Sequence, residues 1–225
     1  MASDGRGEAV SHTLDDELMA LITNYATLQS AVADYLNRQD LTSQIQTFIQ
    51  FVEADLSTRL RCREMIVEDT LTSTLSDIPV PADWLEAINL KIDGGKSPLR
   101  YITLDDADIV TTEMFYTKPN FYTIVDGNIR LVPAPAQNQD IDLIYYAKIP
   151  ALSDVVTTNW LLTKAPDVYL YGALVHAAPF LVDDQRIGVF GQFYSQRVEA
   201  LTQDSQRALH SGSPLVARTR RPYYG

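Results

Sequence analysis

Three histidines, one cysteine and 29 carboxylates are the groups in this 225-residue chain that could do chemistry. Nucleophilic catalysis by Ser or Cys needs an activating base within hydrogen-bond reach, which puts the histidines first. His12 lies in a polar leader, His210 borders the C-terminal tail, and His176 stands alone among apolar residues, where it reads as a packed or interfacial side chain. Cys62 has Arg61 and Arg63 beside it, neighbours that lower a thiol pKa; burial at a helix end is the competing reading. A single cysteine excludes an intrachain disulfide and a cysteine-based zinc site, and it suits a reducing compartment. Neither a HExxH nor an EF-hand loop occurs, so no metal ligand is assigned. Asp105-Asp106-Ala107-Asp108 reads as the charged first turn of a helix, favoured there by the helix dipole. Gly94-Gly95-Lys96 lacks the G-x-x-x-x-G-K spacing of a phosphate loop and reads as a turn. A glycoside hydrolase needs only two carboxylates flanking the bond, one with a raised pKa, a requirement that 29 acids leave open. No catalytic or cofactor-binding residue is assigned, and no cofactor is expected.

The composition, 46% hydrophobic, is enough to bury a sizeable core in one large domain or two small ones. The longest uncharged run, residues 168–182, includes His176 and Pro179 and falls short of the ~20 apolar residues that cross a bilayer. The first 18 residues are polar and acidic, without the cationic start and apolar stretch of a secretory signal, so the chain is expected to stay where it is made. Charge is unevenly placed. All 29 acids precede His210, where 15 Lys and Arg accompany them for a net of −14; residues 211–225 carry Arg218, Arg220 and Arg221 and no acid. So acidic a body repels phosphates, which argues against a nucleic-acid-gripping surface.

The elements that must position these groups fall into two kinds. Leu14, Leu18, Leu21, Tyr25, Leu28, Val32 and Tyr35 recur at steps of four and three, predicting one long helix capped by Thr13 with Asp16. Ile45, Phe48, Ile49, Val52, Leu56 and Leu60 line a second helix after Asp40, and the two form a helical hairpin. From Arg63 the period changes to two. MIVEDTLTSTL is a partly alternating strand, PADW a turn, and Ile88, Leu90 and Ile92 alternate with Asn89, Lys91 and Asp93. Asp93-Gly94-Gly95-Lys96 connects as a hairpin to LRYITL, Thr103 with Asp106 caps a helix through Phe115 that Pro119 ends, and FYTIV, Asp126-Gly127 and NIRLVP form another hairpin. IDLIYYAKI closes the sheet. Pro166 starts a third helix, Pro179 ends it, and Asp183 or Asp184 caps a fourth whose inner face is Ile187, Phe190, Tyr194, Val198 and Leu201. The expected fold is α+β: a mainly helical, four-helix domain with an inserted antiparallel β module of five or six strands and an extended C-terminal arm. Its parts are an extension (1–18), the helical hairpin (19–62), the β module (63–158), the completing helices (159–210) and the arm (211–225).

The pieces NYATLQSAVADYLNRQDL, PADWLEAINL, YYAKIPALSD, TNWLL, APDVYLYGAL and AAPFLVDD, in this order across roughly residues 19–215, resemble the head-to-tail adaptor family of tailed bacteriophages, most like those of short-tailed phages. The resemblance implies a non-enzymatic virion protein at the head-tail junction, made and assembled in the host cytoplasm. About a dozen copies would form a homo-oligomeric ring under the portal protein. Such a ring extends the channel through which DNA passes without specific binding, during packaging and ejection, and presents a platform for the tail or nozzle protein. It also implies that the C-terminal segment docks on the portal, through Ser213, Pro214, Leu215, Arg218, Arg220, Arg221, Tyr223 and Tyr224. Composition alone leaves a solvated terminus as the other reading of that segment. Trp84, Phe115, Tyr116, Phe121, Tyr122 and Trp160 are candidates for subunit contacts, with core packing as the alternative. Two other functions stay open: a virion-associated peptidoglycan hydrolase, and a generic oligomeric scaffold.

Overall fold

A computed structural model describes residues 22–72, 77–95, 97–113, 118–180 and 186–210. Within them the chain is mixed α+β, with six α-helices and two sheets.

The first described helix, α1 (Tyr25–Leu36), starts later than the heptad spacing predicts. Asn24 is extended, its Oδ1 accepts the Thr27 N–H at 2.9 Å, and Thr27 Oγ1 accepts the Asn24 N–H at 3.0 Å. That reciprocal pair satisfies donors a continuing helix would have bonded internally, so a helix starts here and does not run through from Leu14. Thr13 and its expected cap lie outside the described residues. Asn37, left-handed at φ 51°, closes α1. α2 (Thr42–Arg59) buries Ile45, Phe48, Ile49, Val52 and Leu56 as its spacing predicts, with Leu60 buried just beyond its end. Each such side chain contributes on the order of 2 kcal/mol by leaving water.

α4 (Trp160–Lys164) is a short helix capped by Asn159, and α5 (Pro166–His176) opens on Pro166 as expected. α5 stops at His176, and a 3-10 turn (Ala178–Phe180) follows around Pro179. α6 (Ile187–His210) buries Phe190, Tyr194 and Val198 and half-buries Leu201; Asp183 and Asp184 lie outside the described residues. α1, α2, α4, α5 and α6 share one core. α5 is buried almost all round, and at Gly172 a Cβ would sit 2.8 Å from Val52 Cγ2, so the helix backbone packs directly on α2.

Among the described residues seven strands form two sheets, where five or six antiparallel strands were expected. One sheet has the order β1 (Ile66–Thr72), β7 (Asp140–Ala147), β3 (Trp84–Ile92) and is antiparallel. The other has β2 (Asp77–Pro79), β6 (Asn128–Val132), β5 (Phe121–Val125), β4 (Arg100–Tyr101), and its β4–β5 pair is parallel. Gly94, at φ 69°, does turn the chain, but the expected hairpin does not form. After Leu99 N–H bonds Leu90 O at 2.7 Å the chain crosses to the second sheet. The alternation expected in β3 also fails at Ile88. Ala87 pairs with Tyr145 and Asn89 with Ile144, so Ile88 is the extra residue of a bulge and lies 45% exposed. The Asp126-Gly127 hairpin forms as read, both residues having positive φ, as a type I′ turn requires. α3 (Leu104–Glu113) begins at Thr103, whose Oγ1 lies 2.8 Å from Asp106 Oδ2, and Asp105 and Asp106 fill its first turn.

β7 joins the two cores. Ile141, Leu143 and Tyr145 point into the core between the sheets with Ile78, Leu90, Ile129 and Leu131, while Tyr146 packs with Leu85 against the helices. Arg61 pins the same junction, bonding Ser57 O and Leu60 O and reaching Glu86 on β3 at 3.2 Å.

Candidate functional site

Among the described residues singled out for chemistry, Cys62 and His176 have structural occupations; His12 lies outside the described residues. Cys62 is buried, and desolvation together with the nearby Glu64 carboxylate pushes its thiol pKa up, the opposite of activation. Its arginine neighbours are turned elsewhere, Arg61 to Glu86 and Arg63 to Glu64 at 3.6 Å. His176 ends α5, half-buried, with its ring 5.7 Å from that of Phe51. Among the described residues no group of three or more His, Cys, Asp or Glu could hold a metal ion. No described helix is long and apolar enough to cross a membrane.

The carboxylate that sequence reasoning missed is Glu53. It points inward from α2 at 7% exposure, where Oε1 accepts the Leu152 N–H at 2.7 Å and lies 3.4 Å from the Tyr169 hydroxyl. Desolvation raises its pKa above the ordinary 4.5, against the pull of those two hydrogen bonds. Asn159 completes the network: Nδ2 donates to Tyr169 Oη at 2.7 Å and to Pro150 O at 2.8 Å, and Oδ1 accepts the Leu162 N–H at 2.8 Å. Tyr25 N–H reaches Thr157 O at 2.7 Å. Together these bonds clamp residues 149–159, the connection from sheet to helices, onto α1, α2 and α5. A raised carboxyl pKa is what a general acid needs, but this one is packed among backbone and tyrosine with no room for a glycan. Its sequence signal was a lone Glu flanking Val52 inside an apolar stripe.

α6 is fastened at three levels. Tyr194 Oη donates to Asp55 Oδ2 at 2.7 Å beneath the Arg59 guanidinium, Arg197 pairs with the buried Asp167 in the first turn of α5, and Lys164 bridges Glu64 at 2.7 Å and Asp204 at 3.2 Å. The helix is therefore a brace held along its length.

Trp84 stacks on Tyr145 with centroids 5.5 Å apart, and Trp160 packs partly buried against the helical core. Tyr122 is buried and Phe121 half-buried beside α3. Phe115, Tyr116 and every residue of the arm (Ser213, Pro214, Leu215, Arg218, Arg220, Arg221, Tyr223 and Tyr224) lie outside the described residues. What does reach the surface is a different aromatic set. Phe51 (51% exposed) meets His176, Phe180 (48%) meets Phe48 at 5.2 Å, and Phe193 (43%) meets Tyr171 at 5.3 Å, with Val189 exposed nearby on α6. Both clusters flank the C-terminal half of α5. Phe51 lies off the inner spacing of α2, and an apolar residue out of phase with its helix was the available signal. A second exposed apolar feature is Val155, 91% exposed on a turn where Ser153 N–H bonds Val156 O at 2.9 Å and Ser153 Oγ accepts the Val156 N–H at 3.0 Å.

The arrangement is thus a braced helical layer presenting aromatic side chains, on a clamped frame whose buried acid serves as a fastener. Compared with protein families, the chain matches the model described as SU10 adaptor protein over residues 23–218. No curated protein matches it.

Proposed function

The chain belongs to the SU10 adaptor protein family, phage head-to-tail adaptors, which makes it a structural component of a bacteriophage virion; from that premise we propose that it closes into a ring beneath the portal. The ring extends the DNA channel and gives the tail or nozzle its seat, as in short-tailed phages, with about a dozen copies related by heterologous contacts. The observation that carries this reading is the family match across nearly all the described residues. The exposed aromatics around α5 support it, since aromatic side chains dominate interface energies and single chains rarely display them in clusters. Trp84 and Phe121, partly buried in the β module, and Trp160, partly buried on the helical core, are further candidates for subunit contacts. Helical domain and inserted β module act as two functional parts, wall and platform. The net charge of −11 suits a wall past which DNA slides without sticking.

Residues 211–225 supply the hook: Arg forks and Tyr faces make large, specific contacts, and repeated around a ring they add through effective concentration. Deleting residues 211–225 is expected to abolish binding to a purified portal ring while leaving the circular dichroism and melting of the body unchanged; retained binding overturns the assignment. The hydrolase reading is tested by a zymogram against purified peptidoglycan, in which no clearing is expected.

A further inference from the structure

Among the described residues the most exposed large apolar side chain is Val155, at 91%, with Val156 beside it at 39%. On a loose loop that exposure would mean little, but this turn is fixed from both sides. Leu152 N–H bonds the buried Glu53 at 2.7 Å, and Thr157 O accepts the Tyr25 N–H at 2.7 Å. Between them Ser153 Oγ accepts the N–H of Val155 at 3.3 Å and of Val156 at 3.0 Å. Valine adds a side chain with one stiff torsion, so little freedom is left to lose when the tip meets a partner. Asp154, exposed on the same tip, makes it anionic.

One of the two aromatic clusters beside α5 matches this tip in charge. On α6, Val189 and Phe193 are 48% and 43% exposed, and Phe193 leans on Tyr171 at 5.3 Å. The Arg186 guanidinium lies 5.9 Å from the centre of the Phe190 ring, at the border of the same patch. An apolar surface edged by a cation complements an apolar tip edged by an anion.

Tip and patch lie on opposite sides of one helix. Tyr169 of α5 turns to Glu53, and so toward the clamp that carries the tip. Tyr171, two positions on and about 200° round at ~3.6 residues per turn, turns to Phe190 and Phe193. The tip of one copy therefore faces away from its own patch, and the patch it can reach is a neighbour's. Such a head-to-tail contact leaves a tip and a patch unused until the circle of copies closes.

We propose that residues 153–156 of one copy dock on the surface around Val189 and Phe193 of the next, with Asp154 facing Arg186. This names the partner of a surface assigned above to subunit contacts, and it rests on that reading. One turn covers far less than the ~800 Å² per partner of a standard interface, so a lone pair is weak and a closed circle, in which every copy makes two such contacts, is favoured.

Chains carrying Val155→Cys with Val189→Cys, mixed with purified portal rings and treated with a short bismaleimide, test this; the buried Cys62 stays in place in every chain. Crosslinks should run past the dimer, because each chain carries both halves of the contact. Either single variant alone should stay monomeric, and the two mixed should stop at the dimer. Asp154→Arg and Arg186→Asp should each cut the copies recovered on the portal about tenfold and restore them when combined on one chain, which a misfolded body would not do. Crosslinking of a single variant to itself, no crosslink in the double variant, or no rescue on combination overturns the proposal. A portal that gains its circle of copies without the crosslink refutes this contact and leaves the adaptor reading; crosslinked copies that never bind a portal refute the adaptor reading and leave the contact.

Discussion

Glu53 is where one residue decides most. Its raised pKa means that the fold disfavours the ionised form, so its contribution to stability is full below the unfolded value near 4.5 and is lost as pH rises through the folded value. Urea unfolding from about pH 4 to 8 should therefore show the native chain losing stability over a window in which Glu53→Gln stays flat, because the amide oxygen still accepts the Leu152 N–H without a charge to bury. Glu53→Ala strands that N–H and leaves a cavity against Tyr169, and should cost about 2–4 kcal/mol at neutral pH. Equal pH profiles for the native chain and Glu53→Gln would contradict the burial argument. Little of this was legible in the sequence. The apolar stripe of α2 was, but an acid inside it has meaning only once Leu152, 99 positions away, is known to point an N–H at it. Cys62 was readable in kind, as burial at a helix end, whereas Arg61 looked like an activator until its bonds to Glu86 and to backbone carbonyls appeared.

Among the elements, periodicity placed α2, the start and stop of α5 and the β5–β6 hairpin, because each is governed by local rules: a 3.6-residue stripe, proline at either end, and an Asp-Gly pair with positive φ. It failed where neighbours far along the chain arbitrate. The Asn24 capping box overrode a heptad pattern that continued through it, a bulge at Ile88 moved one residue out of phase, and β4 crossed sheets to pair in parallel with β5. The exposed aromatics on α2 and α6 were missed for the same reason, since their partners lie on α5. Phe51→Ser with Phe193→Ser should change the free energy of unfolding by under ~1 kcal/mol, as both side chains already face water, yet prevent ring closure on a portal. Sedimentation velocity with portal checks this; ring assembly at native efficiency would remove these residues from the interface.

Across the described residues, strands β7 and β3 join the helical core to the core between the sheets, and Glu53, Asn159 and Arg61 lock the joint. Such a frame suits a part that transmits load between neighbours, and in the ring proposed above the acidic body would line the DNA path and the basic residues 211–225 would supply the contact to the portal. Mass measured for the chain alone and mixed with purified portal rings tests this most directly. A portal ring that gains one full circle of copies, in a single cooperative step, is the expected result. A portal ring of unchanged mass, with the chain sedimenting beside it at every ratio, would contradict the account.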